Sequence, residues 1–416
     1  MTQKITVQMV EEARERLGKV VAKTPLQLSK RLSEKYGATV YLKREDLQEV
    51  RSFKIRGAYN KMATLTDDER KRGVVCASAG NHAQGVALSC ALLKIKGVIF
   101  MPTPTPQQKI ERVKNFGGKF VEIQLIGNTY DEASAASKEY CHEKDMVYVH
   151  PFNDPLTIAG QGTVAKEIYE DIDGKLDVVV SAIGGGGLIS GVSSYLKQKS
   201  PHVIIFGAEP TGSPSMVNAL KDGAPVKVEK IDTFVDGAAV QMVGDLTLEI
   251  VKENVADVVL VPEGKICKTM VDLYQNEGII AEPAGALSVA ALKYFADKIK
   301  GKTVVCIISG GNNDILRYPE IMERSLVWQG RKHYFLIEFA QKPGQLKKFL
   351  NDAMGPTDDI VRFEYMKKTN REKGAALVGI EQAHKRDFEP LVAKMKEIGL
   401  NFKVLNPNDL LYQYLI

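Results

Sequence analysis

One lysine in the stretch EVRSFKIRGAYNK, Lys54, has the residue type and the setting of a candidate nucleophile. It lies between Arg51 and Arg56 and is soon followed by Gly57. An amine attacks only in its neutral form, and nearby cations or burial lower the pKa of a lysine toward the physiological range. Taken alone, however, a lysine between arginines is more often a charge on a solvated face. The spacing therefore leaves both interpretations open.

The strongest sign of an anion site is the run of four glycines in LDVVVSAIGGGGLISGVSSYLKQK. A β-rich segment precedes Gly184–Gly187, and a helical pattern follows them. Without Cβ atoms, backbone N–H groups approach a phosphate closely, and the N-terminus of a helix adds a favourable partial charge. The stretch matches neither the dinucleotide fingerprint G-x-G-x-x-G nor the P-loop. It predicts a site for another phosphate, with a mobile loop that binds nothing as the alternative.

Two further loops follow predicted strands and carry small polar side chains. In CASAGNHAQG, Ser78, Asn81 and the N–H groups of the turn are candidates to hold a carboxylate. Asn81 and His82 are also common helix-capping and turn residues. In VVCIISGGNND, the loop 309–312 closes another strand. Because loops at the carboxyl ends of parallel strands usually form the site wall, we expect the three loops to converge.

The elements that position these loops are predicted between residues 38 and 313, where short β-branched runs alternate with helical patterns. This alternation is typical of βαβ units on parallel sheets. Nine strands are many for one small sheet, so we expect two α/β lobes with a ligand in the cleft between them, the smaller lobe spanning roughly residues 50–150. The predicted strands are residues 38–45, 73–78, 96–102, 120–127, 146–151, 176–183, 203–210, 257–262 and 303–310.

The last part of the chain has a different pattern. Residues 1–320 are expected to form the catalytic domain, and residues 321–332 a connecting helix or linker. Residues 333–416 then read as strand, helix, strand, strand, helix, strand. This βαββαβ order is ferredoxin-like, and its length suits a small independent domain.

Composition excludes several classes of function. The 416 residues are 44% hydrophobic and 26% charged, with no apolar run near the length of a membrane span. The net charge of +5 is spread through the chain, which gives no nucleic-acid surface. The five cysteines are far apart without a C-x-x-C pair, so we expect reduced thiols and no metal cluster. The N-terminal segment predicts an amphipathic helix rather than an export signal, and hence a cytoplasmic protein.

Five motifs in sequence order, SFKIRGA, SAGNHAQG, GGGGL, EPAGA and SGGNN, resemble those of the fold-type II pyridoxal-phosphate enzymes, most closely the threonine dehydratases. The resemblance covers nearly all of residues 5–320. It implies a two-lobed catalytic fold like that of the tryptophan synthase β chain, and the cofactor pyridoxal 5′-phosphate. The implied reaction is the conversion of L-threonine to 2-oxobutanoate and ammonia, the first committed step of isoleucine biosynthesis, with some activity on L-serine.

The resemblance also implies roles for individual residues. Lys54 would form the Schiff base with the cofactor, and Phe53 would lie beside the ring. Asn81 would bind the phenolic oxygen O3′, and Ser309 would face the pyridine nitrogen, where a neutral hydroxyl makes the cofactor a weaker electron sink and favours β-elimination. The implied phosphate cradle is Gly184, Gly185, Gly186, Gly187 and Leu188, and the implied substrate-carboxylate loop is Ser78, Ala79, Gly80, Asn81 and His82.

Two positions depart from other members of the family. Racemases carry a second serine, a base on the opposite face, where this chain has Ala79. Members that bind a divalent metal carry an acidic residue six positions after the glutamate of EP, whereas Ser215 follows Glu209 here. No divalent metal is expected, and Glu209 is a weak candidate for a monovalent cation. Glu282, in AEPAGA, matches a family glutamate near the ring, and a structural role is equally open.

The tail, with PGQL after its first strand, resembles the single ACT-like regulatory domain of short biosynthetic threonine dehydratases. The resemblance implies isoleucine as an allosteric inhibitor, valine as an activator, and a homo-oligomer, either a dimer or a tetramer. A tail that only pairs subunits is the alternative. For the whole chain the alternatives are a catabolic serine/threonine dehydratase, a synthase of the same fold such as threonine synthase, and a catalytically inactive amino-acid sensor.

Overall fold

The computed structural model describes residues 4–172, 175–366, 372–406, 409–413 and 415. The chain divides into two compact units. The first combines Met1–Glu263 with Leu273–Asn313, and the second combines Gly264–Asp272 with Asp314–Ile416. Each unit has a hydrophobic core of its own.

The first unit contains two sheets. Its strands are β1 (Leu26–Leu28), β2 (Thr39–Arg44), β3 (Val74–Ala77), β4 (Gly97–Met101), β5 (Val121–Leu125), β6 (Val147–Tyr148), β7 (Val178–Ala182), β8 (Ile204–Pro210), β9 (Asp257–Val261) and β10 (Thr303–Ile308). The larger sheet has the order β1-β2-β10-β7-β8-β9, and the smaller has the order β5-β4-β3-β6. Except for the antiparallel pair β1 and β2, the neighbouring strands are parallel.

Continuous apolar runs explain the central strands. Every residue of β3, β4 and β7 is buried, as expected for parallel strands that are covered on both faces. The helices between residues 4 and 313 are α1 (Val7–Leu17), α2 (Lys30–Tyr36), α3 (Lys54–Ala63), α4 (Asp67–Arg72), α5 (Asn81–Leu93), α6 (Gln107–Gly117), α7 (Tyr130–Glu143), α8 (Pro155–Asp171), α9 (Gly187–Lys199), α10 (Ser215–Asp222), α11 (Asp245–Asn254), α12 (Glu263–Glu277), α13 (Pro283–Ala291) and α14 (Ala296–Ile299).

Local sequence signals fix several helix starts. The side chains of Thr66 and Thr129 each accept a hydrogen bond from the backbone N–H three residues on. In turn, the carboxylates of Glu69 and Glu132 accept from the backbone N–H groups of the two threonines. These are capping boxes, which satisfy N–H groups that a helix leaves without partners. At the start of α8, the side chain of Asp154 accepts from the N–H of Thr157 as a simple helix cap, ahead of a proline at the first helical position.

The second unit contains a four-stranded antiparallel sheet. Its elements are α15 (Tyr318–Trp328), β11 (Lys332–Ala340), α16 (Gln345–Asp352), β12 (Asp359–Tyr365), β13 (Lys373–Glu381), α17 (Phe388–Glu397), β14 (Asn401–Val404) and α18 (Leu410–Gln413). The sheet order is β12-β13-β11-β14, and all neighbours are antiparallel. From β11 to β14 the order is βαββαβ, the ferredoxin-like arrangement.

The predicted fold class is confirmed, and all nine strands predicted before residue 313 are present. Strand β1 was not predicted, because three residues are too few to show an alternating pattern. The five cysteines are free and buried, as expected. Among the described residues, no helix combines the length and the apolar character needed to cross a membrane.

Candidate active site

Three neighbouring strands of the larger sheet deliver the main candidate residues to one edge. Strand β10 lies between β2 and β7 and is parallel to both. Ser309 directly follows β10, Gly184 follows β7 after one residue, and the chain that leaves β2 reaches Lys54 at the start of α3. Because the carboxyl ends of parallel strands share an edge, the fold brings the lysine, the serine and the glycine loop together.

Backbone hydrogen bonds fasten the segment before Lys54 to the loop after β10. The N–H of Phe53 donates to the carbonyl of Ser309 over 3.2 Å, and the N–H of Gly311 donates to the carbonyl of Arg51 over 2.8 Å. Arg51 has a φ of 54°, in the left-handed region. These contacts fix where α3 begins, and therefore where its first residue lies.

The amine of Lys54 lies in a site that lowers its pKa. Its Nζ donates a hydrogen bond to the carbonyl oxygen of Pro151 over 3.0 Å and lies 5.4 Å from the centre of the Phe53 ring. Burial lowers the pKa of Lys54 from 10.5 to about 8, although the carboxylate of Glu282 opposes this shift. A large fraction of the amine is therefore neutral in mildly alkaline solution, as a nucleophile or base requires.

Burial, rather than the neighbouring arginines, explains this pKa. Arg51 is exposed, and the Arg56 guanidinium is fully buried and paired with two carboxylates. It contacts Glu45 over 2.7 Å and Glu167 over 2.8 Å. Because these carboxylates neutralise Arg56, the flanking cations suggested by the sequence do not account for the pKa of Lys54.

The Arg56 pair belongs to a cluster of four buried charges. Lys43 Nζ contacts Glu167 over 2.7 Å and also donates to the carbonyl of Thr24 over 2.7 Å. The two cations and two carboxylates sum to zero, and all four side chains are fully buried. The cluster joins α3 to the end of β2 and to α8, and so holds the helix that carries Lys54.

The loop after β3 presents Asn81 to the site. Helix α5 is capped by Gly80 without a side-chain bond, so the helix-capping interpretation of Asn81 is wrong. Asn81 Nδ2 instead donates to Glu282 Oε1 over 2.7 Å, and Asn81 Oδ1 accepts from Asn312 Nδ2 over 2.7 Å. The N–H of Gly80 donates to Ser78 Oγ over 3.2 Å, which shapes the turn. The carboxamide is thus held by the loop after β10 and by the segment that joins α12 to α13.

Two buried titratable side chains flank this loop. His82 Nε2 bonds with the carbonyl oxygen of Val149 over 2.8 Å, and burial lowers the pKa of His82 to about 3, so its ring is neutral. Burial also raises the pKa of Glu282 to about 7, with repulsion from Asp236 adding to the shift. His82 therefore brings no positive charge to the loop, and Glu282 titrates near neutral pH.

The glycine loop has no room for side chains at Gly185 and Gly187, where it packs against Phe152. A Cβ on Gly185 would lie 2.2 Å from the ring of Phe152, and one on Gly187 would lie 2.9 Å from the same residue. Gly186 has a φ of 90° and caps α9. The N–H groups of Gly187 and Leu188 belong to the first turn of the helix, where no preceding turn supplies acceptors. The loop is therefore a backbone cradle suited to an anion.

The other two candidates, Ser309 and Glu209, have side-chain oxygens that bond to backbone groups. Ser309 is 3% exposed, and its Oγ donates to the carbonyl of Ala284 over 3.3 Å. Both carboxylate oxygens of Glu209 accept backbone bonds, from Met216 over 2.7 Å and from Val217 over 2.9 Å. Burial raises the pKa of Glu209 to about 8. Glu209 thus binds the start of α10, and its oxygens are already engaged.

No cluster of metal ligands accompanies these residues. Within the part of the chain that the structure describes, no group of three or more His, Cys, Asp or Glu side chains is placed to hold a metal ion.

Sequence reasoning missed the segment after β6, His150–Phe152. Pro151 supplies the acceptor for Lys54, and Phe152 packs on the glycine loop. The available signal was a proline at the end of the predicted strand 146–151 and close to the helix-capping residue Asp154.

Comparison with known proteins agrees with this geometry. Residues 18–310 match the model of the family described as "Pyridoxal-phosphate dependent enzyme". Residues 323–415 match the "C-terminal regulatory domain of Threonine dehydratase". Among solved structures, the processed form of threonine deaminase isoform 2 from Solanum lycopersicum has a TM-score of 0.73 and 38% identity, covering 78% of this chain and 96% of that one. Maize serine racemase has a TM-score of 0.72 and 32% identity, covering 78% and 99%.

Curated relatives match over nearly the full length. The "L-threonine dehydratase biosynthetic IlvA" of Halalkalibacterium halodurans is 51% identical, covering 99% of this chain and 100% of the relative. The protein of the same name from Bacillus subtilis is 49% identical, covering 99% and 98%. With the glycine cradle and the partly buried Lys54, these matches show that the chain belongs to the pyridoxal-phosphate dependent enzymes and, among them, to the biosynthetic L-threonine dehydratase family.

Proposed function

We propose that the protein converts L-threonine to 2-oxobutanoate and ammonia, as a threonine ammonia-lyase with pyridoxal 5′-phosphate. The observation that carries the proposal is the position and the lowered pKa of the Lys54 amine. It lies on a carbonyl oxygen at the edge where the glycine loop and Ser309 also lie, and its pKa is lowered to about 8. A merely structural lysine gains nothing from a site that favours its neutral form.

The residues at this edge fit the cofactor. The cradle formed by Gly184, Gly185, Gly186, Gly187 and Leu188 suits its phosphate, because the N–H groups of the first turn of α9 can donate to an anion there. We assign the binding of O3′ to Asn81, the contact with the pyridine nitrogen to Ser309, and the covalent link to the cofactor to Lys54. When bound, pyridoxal phosphate supplies an electron sink for the carbanion that forms at Cα of an amino acid.

The chain's own groups would perform the proton transfers. The neutral amine of Lys54 takes the Cα proton of threonine and becomes an ammonium, which can then protonate the departing β-hydroxyl as water forms. The loop Ser78–His82 holds the substrate carboxylate through its N–H groups, since the His82 ring is neutral. The enamine released at the end tautomerises and hydrolyses to 2-oxobutanoate and ammonia.

One feature of the sequence supports elimination over racemisation, and the likeness of the two substrates sets the expected activity on serine. Ala79 stands where racemases carry a second base, so the second face of Cα has no serine at that position. Serine differs from threonine by one methyl group, and a pocket discriminates that difference by only about ten- to two-hundred-fold. We therefore expect some turnover of serine and little racemisation.

We assign residues 1–320 to catalysis and residues 333–416 to regulation, joined by residues 321–332. The proposed effectors are isoleucine as inhibitor and valine as activator, with a coupling free energy of about 1 to 3 kcal/mol between the effector and substrate sites. The match of residues 323–415 to a regulatory domain supports this assignment over a catabolic dehydratase or a module that only pairs subunits. We further propose a homo-oligomer that works in the cytoplasm, where its five free, buried cysteines stay reduced.

The test is the formation of 2-oxo acid from threonine and from serine, each with and without isoleucine, while the cofactor spectrum is followed. Turnover of threonine that isoleucine suppresses is the expected result. Lys54→Ala should fold and lose turnover. A yellow wild-type protein that converts neither amino acid would contradict the proposal and favour a synthase of the same fold, and a protein that binds amino acids but no cofactor would indicate a sensor.

A further inference from the structure

The turn after β6 joins a partly buried histidine to the lysine of the site. His150 Nδ1 accepts hydrogen bonds from the backbone N–H of Phe152 over 3.2 Å and from that of Asn153 over 2.8 Å. One residue along, the carbonyl oxygen of Pro151 accepts from Lys54 Nζ over 3.0 Å. The histidine and the lysine therefore hold the same short stretch of backbone from two sides.

A single peptide group carries both contacts. The carbonyl of Pro151 and the N–H of Phe152 belong to one peptide bond, which is planar and whose C=O and N–H point in opposite directions. Fixing the N–H on His150 Nδ1 therefore fixes the direction of the C=O toward Lys54. Donation by the N–H also polarises the peptide group and strengthens its oxygen as an acceptor.

The geometry determines the protonation of His150. An Nδ1 atom that accepts two N–H groups carries no proton, so the ring is neutral with its proton on Nε2. Burial keeps it so, since it lowers the pKa of His150 to about 4. The ring also packs edge-on against Phe152, with centroids 4.7 Å apart, and Phe152 in turn lies against the glycine loop. His150 thus stands in the site as an acceptor, not as an acid or a cation.

We propose that His150 is a positioning residue, which aims the Pro151 carbonyl so that the amine of Lys54 is held in place for proton transfer at Cα. The inference rests on the proposed function for its catalytic consequence. With one N–H engaged by Pro151, the lone pair of the neutral amine has a restricted direction. The acceptor remains available after the amine has taken a proton, because an ammonium still has N–H groups to donate.

Two variants separate the acceptor from the ring. His150→Asn places Oδ1 on Cγ, where the imidazole carries Nδ1, and an asparagine oxygen bonds the N–H two residues on in turns. His150→Phe keeps an aromatic ring against Phe152 and removes the acceptor. If His150 acts by packing alone, the phenylalanine variant should work and the asparagine variant should fail. We expect the reverse, with His150→Asn working and His150→Phe impaired.

In the holoenzyme, the readouts are kcat, KM and the primary isotope effect with threonine deuterated at Cα. A misplaced base slows proton transfer, so we expect kcat of His150→Phe to fall by about 100-fold, with KM within about threefold and a larger isotope effect. His150→Asn should stay within about threefold of the wild type in kcat. Cofactor content and the thermal midpoint report whether each variant has folded.

A second readout needs no turnover. In the cofactor-free protein, the acetylation rate of Lys54 is measured by peptide mass spectrometry, with the exposed Lys71 as internal reference. We expect His150→Phe to change the rate at Lys54 by about threefold or more and leave Lys71 unchanged, while His150→Asn matches the wild type. If the wild type fails to convert threonine, the proposed function fails while this readout still decides the role of His150.

Wild-type behaviour of His150→Phe, or equal impairment of both variants, would overturn the proposal. If His150→Phe does not fold, His150→Leu replaces it, because leucine and asparagine share branching at Cγ and differ in the acceptor. Equal labelling of Lys54 in the leucine and asparagine variants would then refute it.

Discussion

Replacing Lys54 with Met should make the cofactor-free protein more stable, because the fold holds this lysine in a place that disfavours its charge. The pKa of Lys54 falls from 10.5 to about 8 on folding, mainly through burial. At 1.36 kcal/mol for each tenfold change in proton affinity, that difference costs the fold about 3.4 kcal/mol when the group is charged in the unfolded chain. Because the side chain is only half-buried and solvent relaxes around it, we expect Lys54→Met to gain about 1 to 3 kcal/mol at pH 7.

The stability gained by Lys54→Met should decrease as the pH rises. Between about pH 8 and pH 10.5 the unfolded lysine still holds its proton while the folded lysine has lost it. Stability rises with pH wherever the unfolded state binds more protons, so the wild type recovers stability across this range. The advantage of Lys54→Met should therefore be complete below pH 8 and should shrink as the pH rises toward 10.5.

The assay is urea unfolding of the cofactor-free protein at pH 7 and pH 9.5, followed by circular dichroism. Lys71→Met is the control, since the side chain of Lys71 is 77% exposed, and it should change the free energy of unfolding by less than about 0.5 kcal/mol. The reasoning would be refuted by a Lys54→Met protein no more stable than the wild type at pH 7, or by a gap of the same size at both pH values.

Three other substitutions test separate parts of the site. Gly185→Ala should weaken pyridoxal phosphate binding, measured by titration of the cofactor-free protein, because its Cβ would lie 2.2 Å from the Phe152 ring. Arg56→Met should lower the free energy of unfolding, measured in urea, by about 3 to 5 kcal/mol because it leaves an unpaired buried carboxylate. Adding Glu45→Gln should restore part of the loss. If the losses from the two substitutions simply add, the pairing of Arg56 with Glu45 is contradicted. Ala79→Ser should produce measurable D-serine from L-serine by chiral chromatography, and its absence would show that this position alone does not separate lyase from racemase.

The strands could be predicted because each carries its own signal. All residues of β7 are buried, and its run of valines needs no distant partner to be recognised. The glycine loop could be predicted for the same reason, since a strand, four glycines and a helix are adjacent in sequence. The missed strand β1 is defined by its pairing with β2, for example of Leu26 with Lys43. A segment of three residues carries no sequence pattern that would predict this pairing.

The environments of the candidate residues depended on distant contacts. Asn81 looked like a helix cap, yet its carboxamide binds Glu282, 201 residues away. Pro151, the acceptor for Lys54, is 97 residues from it and contributes a backbone atom that no side-chain pattern reveals. Residue types therefore indicated which loops bear the chemistry, whereas pKa values and partners required the tertiary structure.

The difference between Lys54 and Arg56 follows from their positions on one helix. Each residue of an α-helix turns about 100° around the axis, so side chains two positions apart point about 200° apart. One of these cations therefore faces the site while the other faces β2 and α8, where Glu45 and Glu167 compensate its charge. A buried cation that contacts two carboxylates stays charged, whereas at Lys54 the cost of burial outweighs the attraction of Glu282 and the amine gives up its proton at a lower pH. The same helix thus holds a permanent cation as its anchor and, half a turn away, an amine that can act as a base.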